Sequence, residues 1–199
     1  MRHKLLLATN NQGKVREYRS LLQNLPYELI TLAEHGITTI VSEVGESLEE
    51  NARLKATLLA VESQLLALAD DSGLEVNALG REPGHLSARY AGENASDKDR
   101  VNYLLLRLKG VPWEKRSARF RCVIAIAIPD GEVVFCSGEC QGFIAFEPTG
   151  EWGFGYDPVF YLPELDKTMA ELPLEIKNLI SHRGLASRKI SQLLARITA

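Results

Sequence analysis

Seven consecutive apolar residues, Cys122-Val123-Ile124-Ala125-Ile126-Ala127-Ile128, set the tightest limit on how this chain can fold. A short continuous apolar run, closed by Pro129-Asp130-Gly131, reads as a strand with no solvent face. Such a strand needs other elements packed on both of its sides. Glu132 to Cys136 returns after the turn, so the pair is predicted to form a hairpin in the centre of a sheet.

The remaining segments supply the covering layers. Lys4 to Ala8 reads as a buried first strand, Thr9 to Gly13 as a polar turn, and Lys14 to about Leu22 as a helix with Val15, Tyr18, Leu21 and Leu22 on one side. Glu28 to Leu32 is a second strand. Ser47 and Glu50 form a capping-box pattern that opens a long helix to about Leu65. Its packed face carries Leu48, Ala52, Lys55, Ala56, Leu59 and Ala60. Leu66 to Ala69 is a short apolar strand running into Asp70-Asp71-Ser72-Gly73, and Leu74 to Val76 continues extended. Pro83-Gly84 reads as a turn. Ser96 and Asp99 open a helix with Val101, Leu104, Leu105 and Leu108, which stops at Gly110. The last helix spans about Gly184 to Ile197, with Ile190, Leu193, Leu194 and Ile197 as its stripe. Helices interleaved with strands, together with a hairpin, predict an α/β fold with a mixed sheet flanked by helices.

At 199 residues the chain suits one domain or two lobes sharing a sheet. A net charge of −3 argues against a general nucleic-acid binder, yet a local basic pocket can still hold a small anion. No apolar stretch approaches the ~20 residues of a membrane span. The opening apolar run ends at Ala8 and polar residues follow without a cleavage-like site, which argues against a signal peptide. Cys122, Cys136 and Cys140 show no disulfide or zinc spacing and read as reduced thiols in a cytoplasmic protein.

Four segments carry residues suited to chemistry. Thr9-Asn10-Asn11-Gln12-Gly13-Lys14 follows a strand and opens a helix, where backbone N–H groups favour phosphate, although it is not a Walker loop. Asp70 and Asp71 stand at the end of a buried strand, which is costly without partners. Successive strand residues point to opposite faces, so their roles should differ. One can hold a metal or accept a proton, while the other can cap backbone N–H groups. Glu43, in the loop before the long helix, could share magnesium with Asp71 if the two meet. Gly153-Phe154-Gly155-Tyr156-Asp157-Pro158 offers close backbone approach and a flat stacking surface for a purine. Lys177 and Ser181-His182-Arg183-Gly184 add a point charge for phosphate and planar donors for a carbonyl.

Taken in order, these segments resemble the inosine triphosphate pyrophosphatase family. The matching pieces are Thr9, Asn11 and Lys14; Gly45, Ser47, Glu50, Asn51 and Ala52; Ala69 to Leu74; Pro83 to Tyr90; Gly153 to Phe160; Lys167 to Leu172; and Ser181 to Gly184. The resemblance implies an elongated α/β fold of two lobes with the nucleotide in the cleft between them, a homodimer, and magnesium. It implies hydrolysis of purine nucleoside triphosphates with a damaged base, inosine or xanthosine triphosphate, to the monophosphate and pyrophosphate. Thr9 to Lys14 would hold phosphate, and Glu43 and Asp71 would hold magnesium. Asp71 would also accept the proton of the attacking water, and Ser72 would touch substrate. Phe154, Gly155, Tyr156 and Asp157 would line the base pocket, and Lys177, His182 and Arg183 would complete the nucleotide contacts. Arg183 or His182 is the expected donor to the purine 6-carbonyl. Trp152 is bulkier than the small or polar residue usual in the family.

Overall fold

The computed structural model describes residues 3–129 and 131–197, the last three by backbone only. Asp130 of the expected turn and the Ile197 side chain of the expected stripe therefore lie outside the described residues. The elements are β1 (His3–Leu7), α1 (Gln12–Leu21), β2 (Tyr27–Thr31), α2 (Leu32–His35), α3 (Leu48–Ser63), β3 (Leu66–Val76) and β4 (Pro83–Gly84), then α4 (Asp97–Arg107), β5 (Ser117–Ala127), β6 (Val133–Ile144), β7 (Phe160–Leu162), β8 (Lys167–Thr168), α5 (Leu174–Ile180) and α6 (His182–Ile197). Among the described residues they form one mixed sheet in the order β2-β1-β3-β5-β6-β7-β8, with β4 paired to β3 off this path. β1 runs parallel to both β2 and β3, while β7 is antiparallel to β6 and β8. No described helix is long and apolar enough to cross a membrane.

The chain divides into two compact units. The first comprises Met1–Asp71, Cys122–Gly138 and Arg183–Ala199; the second comprises Ser72–Arg121 and Glu139–His182.

In the first unit, strict alternation sorts the strand side chains onto two faces. Leu6, Ala8, Ala67, Ala69, Val123, Ala125 and Ala127 pack with Leu48, Ala52, Ala56, Leu59 and Ala60 of α3. Small alanines on both sides let this helix lie close to the strands. The alternate set, Leu5, Leu7, Leu68, Cys122, Ile124 and Ile126, packs with Tyr18 and Leu22 near α1 and with Ala186, Ile190 and Leu194 of α6. The apolar run at Cys122 is therefore covered on both faces, as its composition requires. The second unit has its own core of Leu74, Val76, Val101, Leu104, Leu108, Phe120, Ile144, Tyr156, Val159, Phe160, Met169 and Leu172, with others.

Three local expectations change. β3 does not stop at the acids but runs on through Asp70, Asp71, Ser72 and Gly73 to Val76. Pro83–Gly84 is not a free turn but a short antiparallel strand against β3, with Leu74 opposite Gly84. Ser87 fixes that pairing: its Oγ accepts the Leu74 N–H at 2.9 Å and donates to the Gly84 carbonyl at 2.6 Å. Finally, the Ser47 hydroxyl accepts the Glu50 N–H, but the Glu50 carboxylate reaches the Glu46 N–H, one residue before the cap.

Gly73 is required by the close approach of β4, since a Cβ there would stand 2.3 Å from the Gly84 carbonyl oxygen. Gly73→Ala should therefore destabilise the protein by about 1–3 kcal/mol, through forced backbone movement. Urea unfolding measures this, and an alanine variant as stable as the parent would contradict the contact.

Candidate active site

The first unit gathers charged side chains around two adjacent residues of β3. Asp70 and Asp71 point to opposite faces, and each face supplies different partners.

On the α1/α6 face, Asp70 is 1% exposed. Its Oδ1 lies 3.0 Å from the Lys14 ammonium, which also donates to the Asp70 carbonyl at 3.3 Å. Its Oδ2 accepts from Arg183 Nε at 3.1 Å and Nη2 at 2.9 Å. The remaining arm of Arg183 donates to Glu17 at 2.6 Å. Burial alone would raise the Asp70 carboxyl, but the charges of Lys14 and Arg183 overcome it and hold the group well below the ordinary carboxylate range. Lys14 and Glu17 stand one turn apart on α1, so both reach the same side. Asn11 caps this helix, its Oδ1 accepting the Lys14 N–H at 3.1 Å, and Thr9 Oγ1 accepts the Asn11 N–H at 3.2 Å. Gly13 is buried, while Asn10, Asn11 and Gln12 are exposed at the positive end of a ten-residue helix.

On the α3 face, Asp71 is 5% exposed. The Lys55 ammonium lies 3.0 Å from Asp71 Oδ1 and 2.7 Å from Glu43 Oε1. Asn51 Nδ2 donates to Asp71 Oδ2 at 3.2 Å, and the Asn51 carbonyl accepts the Gly45 N–H at 2.9 Å. Asn51 therefore ties the loop bearing Glu43 to β3, and the expected meeting of Glu43 with Asp71 occurs through one lysine nitrogen. Burial pushes the Asp71 carboxyl upward, Lys55 and Lys14 pull it back, and Glu43 adds to the rise; the net shift is upward. A buried carboxylate that is more basic than usual is suited to accept a proton. Lys55 shifts upward as well: burial opposes its charge, but Asp71 and Glu43 outweigh that.

The donor set decides whether a divalent cation fits. Among the described residues no cluster of three or more His, Cys, Asp or Glu side chains could hold a metal. Two carboxylates that converge on one point can hold magnesium, because that ion keeps waters and takes substrate phosphates for its other positions.

In the second unit, the turn at Gly153 to Asp157 is organised by Asp157. Its Oδ2 accepts the Phe154 N–H at 2.8 Å and pairs with the Lys177 ammonium. Gly153 has a φ of +80°, and a Cβ on it would meet Asp157 Oδ2 at 2.1 Å. Asp97, at the start of α4, accepts the Gly155 N–H at 2.6 Å. Tyr156 donates to the Ser87 carbonyl at 3.0 Å. Phe154 is thus held on a fixed backbone, with the Lys177 ammonium 4.9 Å from its ring centroid. His182 is buried and stacks on Phe120, centroids 4.6 Å apart. Ser72 follows Asp71 on β3, and Trp152 is exposed.

Arg183 carries ion pairs that its expected role as a donor does not announce. Its guanidinium is fully buried and committed to Glu17 and Asp70, so as a donor to a purine carbonyl it would have to abandon two carboxylates. Asp70 is the counter-charge of Lys14 and Arg183. Lys55, Glu17 and Asp97 do not stand out as functional in the sequence, and Asn51 enters it only as part of the family match. A lysine on the otherwise apolar face of α3 is the available signal for Lys55; Asp97 leaves none.

Asp70→Asn removes the counter-charge of two cations and should cost about 3–5 kcal/mol at neutral pH. Because the folded carboxyl lies below its ordinary value of 3.8, its contribution is complete above that value and is lost as the pH falls towards the lowered one. Urea unfolding should therefore show the gap between parent and variant narrowing below about pH 4. A gap independent of pH would contradict this account of Asp70.

The Ham1 family profile matches residues 5–193 of the chain. The chain is 50% identical over 194 residues to a dITP/XTP pyrophosphatase of Desulforamulus reducens, covering 98% of this chain and 96% of that protein. It is 47% identical over 189 residues to a dITP/XTP pyrophosphatase of Bacillus subtilis, covering 95% and 96%. Among solved structures, a HAM1 protein from Coxiella burnetii superposes with a TM-score of 0.87 at 42% identity, covering 98% of this chain and 99% of that one.

Proposed function

The chain belongs to the Ham1 family, and from that premise we infer that it is a nucleoside-triphosphate pyrophosphatase acting on purine nucleotides with altered bases. It hydrolyses deoxyinosine, inosine and xanthosine triphosphates to the nucleoside monophosphate and pyrophosphate, which removes damaged purines from the nucleotide pool. The observation that carries the reading for its chemistry is Asp71: a buried carboxylate, raised above its usual value, set beside Lys55 and Glu43 on β3.

The reaction breaks the bond between the α-phosphorus and the oxygen bridging to the β-phosphorus, and a water oxygen takes its place. Asp71 orients that water and takes its proton as the new bond forms. Lys14 and the N-terminus of α1 offset phosphate charge, and the exposed polar side chains of Asn10, Asn11 and Gln12 border the same helix end. Glu43 and Asp71 would hold magnesium, which supplies charge neutralisation on the leaving pyrophosphate. On the base side, Phe154 gives a stacking surface fixed by Asp157 and Asp97. Arg183 or His182 remains the donor we assign toward a purine 6-carbonyl, and the Lys177 ammonium adds a cation 4.9 Å from the Phe154 ring centroid. An adenine would leave such a donor unpaired, and sites built on this principle reject the wrong analogue by large factors, about 10⁴ or more. The three cysteines, none in a disulfide, support a cytoplasmic location, and the homodimer is carried by the family resemblance.

Two measurements test this. Pyrophosphate release from inosine, xanthosine, guanosine, adenosine and thymidine triphosphates, with and without magnesium, should be strong for the first two and lost without metal. Release chiefly from thymidine triphosphate would contradict the substrate class. Asp71→Asn should lower kcat by about 10²–10⁴ while nucleotide binding changes little. Near-normal turnover in that variant would exclude Asp71 as the proton acceptor.

A further inference from the structure

Glu43 and Asp71 are two negative groups drawn to one point, where the Lys55 ammonium pairs with both. The Lys55 side chain is 11% exposed, and its ammonium lies within ion-pair distance of both carboxylates. Asp71 has both oxygens engaged: Oδ1 by Lys55 and Oδ2 by Asn51. A divalent cation directed to this pair meets a positive charge already in position, and like charges a few ångströms apart in a partly buried site repel strongly. Lys55 lies on α3, whose backbone is fixed by the alanine-lined packing against the sheet. Its four-carbon stem, however, can swing the ammonium without moving the helix. The loop does not depend on Lys55 alone, because Asn51 also holds it through the Gly45 N–H, and a side chain at Gly45 would crowd the Asn51 oxygen at 2.7 Å. The carboxylates can therefore stay close when the ammonium leaves.

We propose that Lys55 is a resident counter-cation, which a divalent metal must displace from Glu43 and Asp71 in order to bind them. The proposal rests on the assignment of these carboxylates as the metal holders. It makes Lys55 a positioning residue that acts through the carboxylates. A displaced ammonium also becomes available to an incoming anion. Arrival of the metal therefore moves one positive charge from the protein's own acids toward the polyphosphate.

The test uses manganese(II) as the probe, with no nucleotide present, titrated by calorimetry or by the loss of the free-ion electron-spin signal. Lys55→Met should bind the ion at least about tenfold more tightly than the parent, because no cation has to be expelled. Lys55→Arg, which keeps the charge, should stay near the parent value. Circular dichroism checks that each variant is folded. A second readout needs no variant: in the parent, amine-reagent labelling of Lys55, followed by mass spectrometry, should increase on saturation with manganese(II). Equal or weaker binding by folded Lys55→Met, or unchanged labelling in the saturated parent, overturns the proposal while leaving the metal site intact. Absence of manganese(II) binding by both parent and Lys55→Met overturns the metal assignment itself, and the proposal with it.

Discussion

Asp70 is a carboxylate with almost no exposure in the middle of a β-strand, and it stays ionised only because two cations reach it. Desolvating such a charge costs several kcal/mol, and the attraction must be directed and multiple to offset it. Lys14 comes from α1 and Arg183 from α6, so the ion pairs join segments at the two ends of the chain to β3. Glu17 neutralises the other side of Arg183 and lies on the same helix as Lys14. The turn at Thr9 to Lys14 is thereby held to the strand that carries Asp71. Loss of Arg183 would leave buried Glu17 without this cation, and loss of Asp70 would remove the carboxylate that holds the Lys14 ammonium.

Asp71 sits one residue on and faces the other way. The pleat alone produces this separation: one acid becomes a fixed structural anion, while its neighbour stays basic enough to take a proton. The environments differ in kind. Asp70 is dominated by positive charge, so it is held ionised. Asp71 is dominated by burial and has a second carboxylate nearby, so it is raised. The second unit uses the same device at Asp157, whose carboxylate orders the Phe154 backbone and neutralises buried Lys177.

Much of this is legible in the sequence where a periodicity or a cap enforces it. The run at Cys122, the stripe of α3, and the Ser96–Asp99 capping box all correspond to observed elements, because each depends on local chemistry. The continuation of β3 through its acids is only half visible, since nothing near Asp70 in sequence announces Lys14 or Arg183 as its partners. The carboxylate partners of Arg183 are hidden in the sequence for the same reason. A guanidinium suits a purine carbonyl and a carboxylate equally well, and only the fold reveals that two carboxylates are within reach. Pro83–Gly84 looks like a turn because its pairing depends on Ser87 and on the missing side chain of Gly73, which act across the chain. Asp97 is invisible, because at a helix start an aspartate looks like an ordinary first-turn acid.

The most direct test of the central claim is the position of bond cleavage. Inosine triphosphate would be hydrolysed by the purified protein in heavy-oxygen water with magnesium, and the products analysed by mass spectrometry. Attack at the α-phosphorus predicts the label in inosine monophosphate, with unlabelled pyrophosphate as the other product. Label in inorganic phosphate, with inosine diphosphate remaining, would mean that the terminal phosphate is the one attacked, and it would contradict the role of Asp71 and its surrounding charges in cleavage at the α-phosphorus.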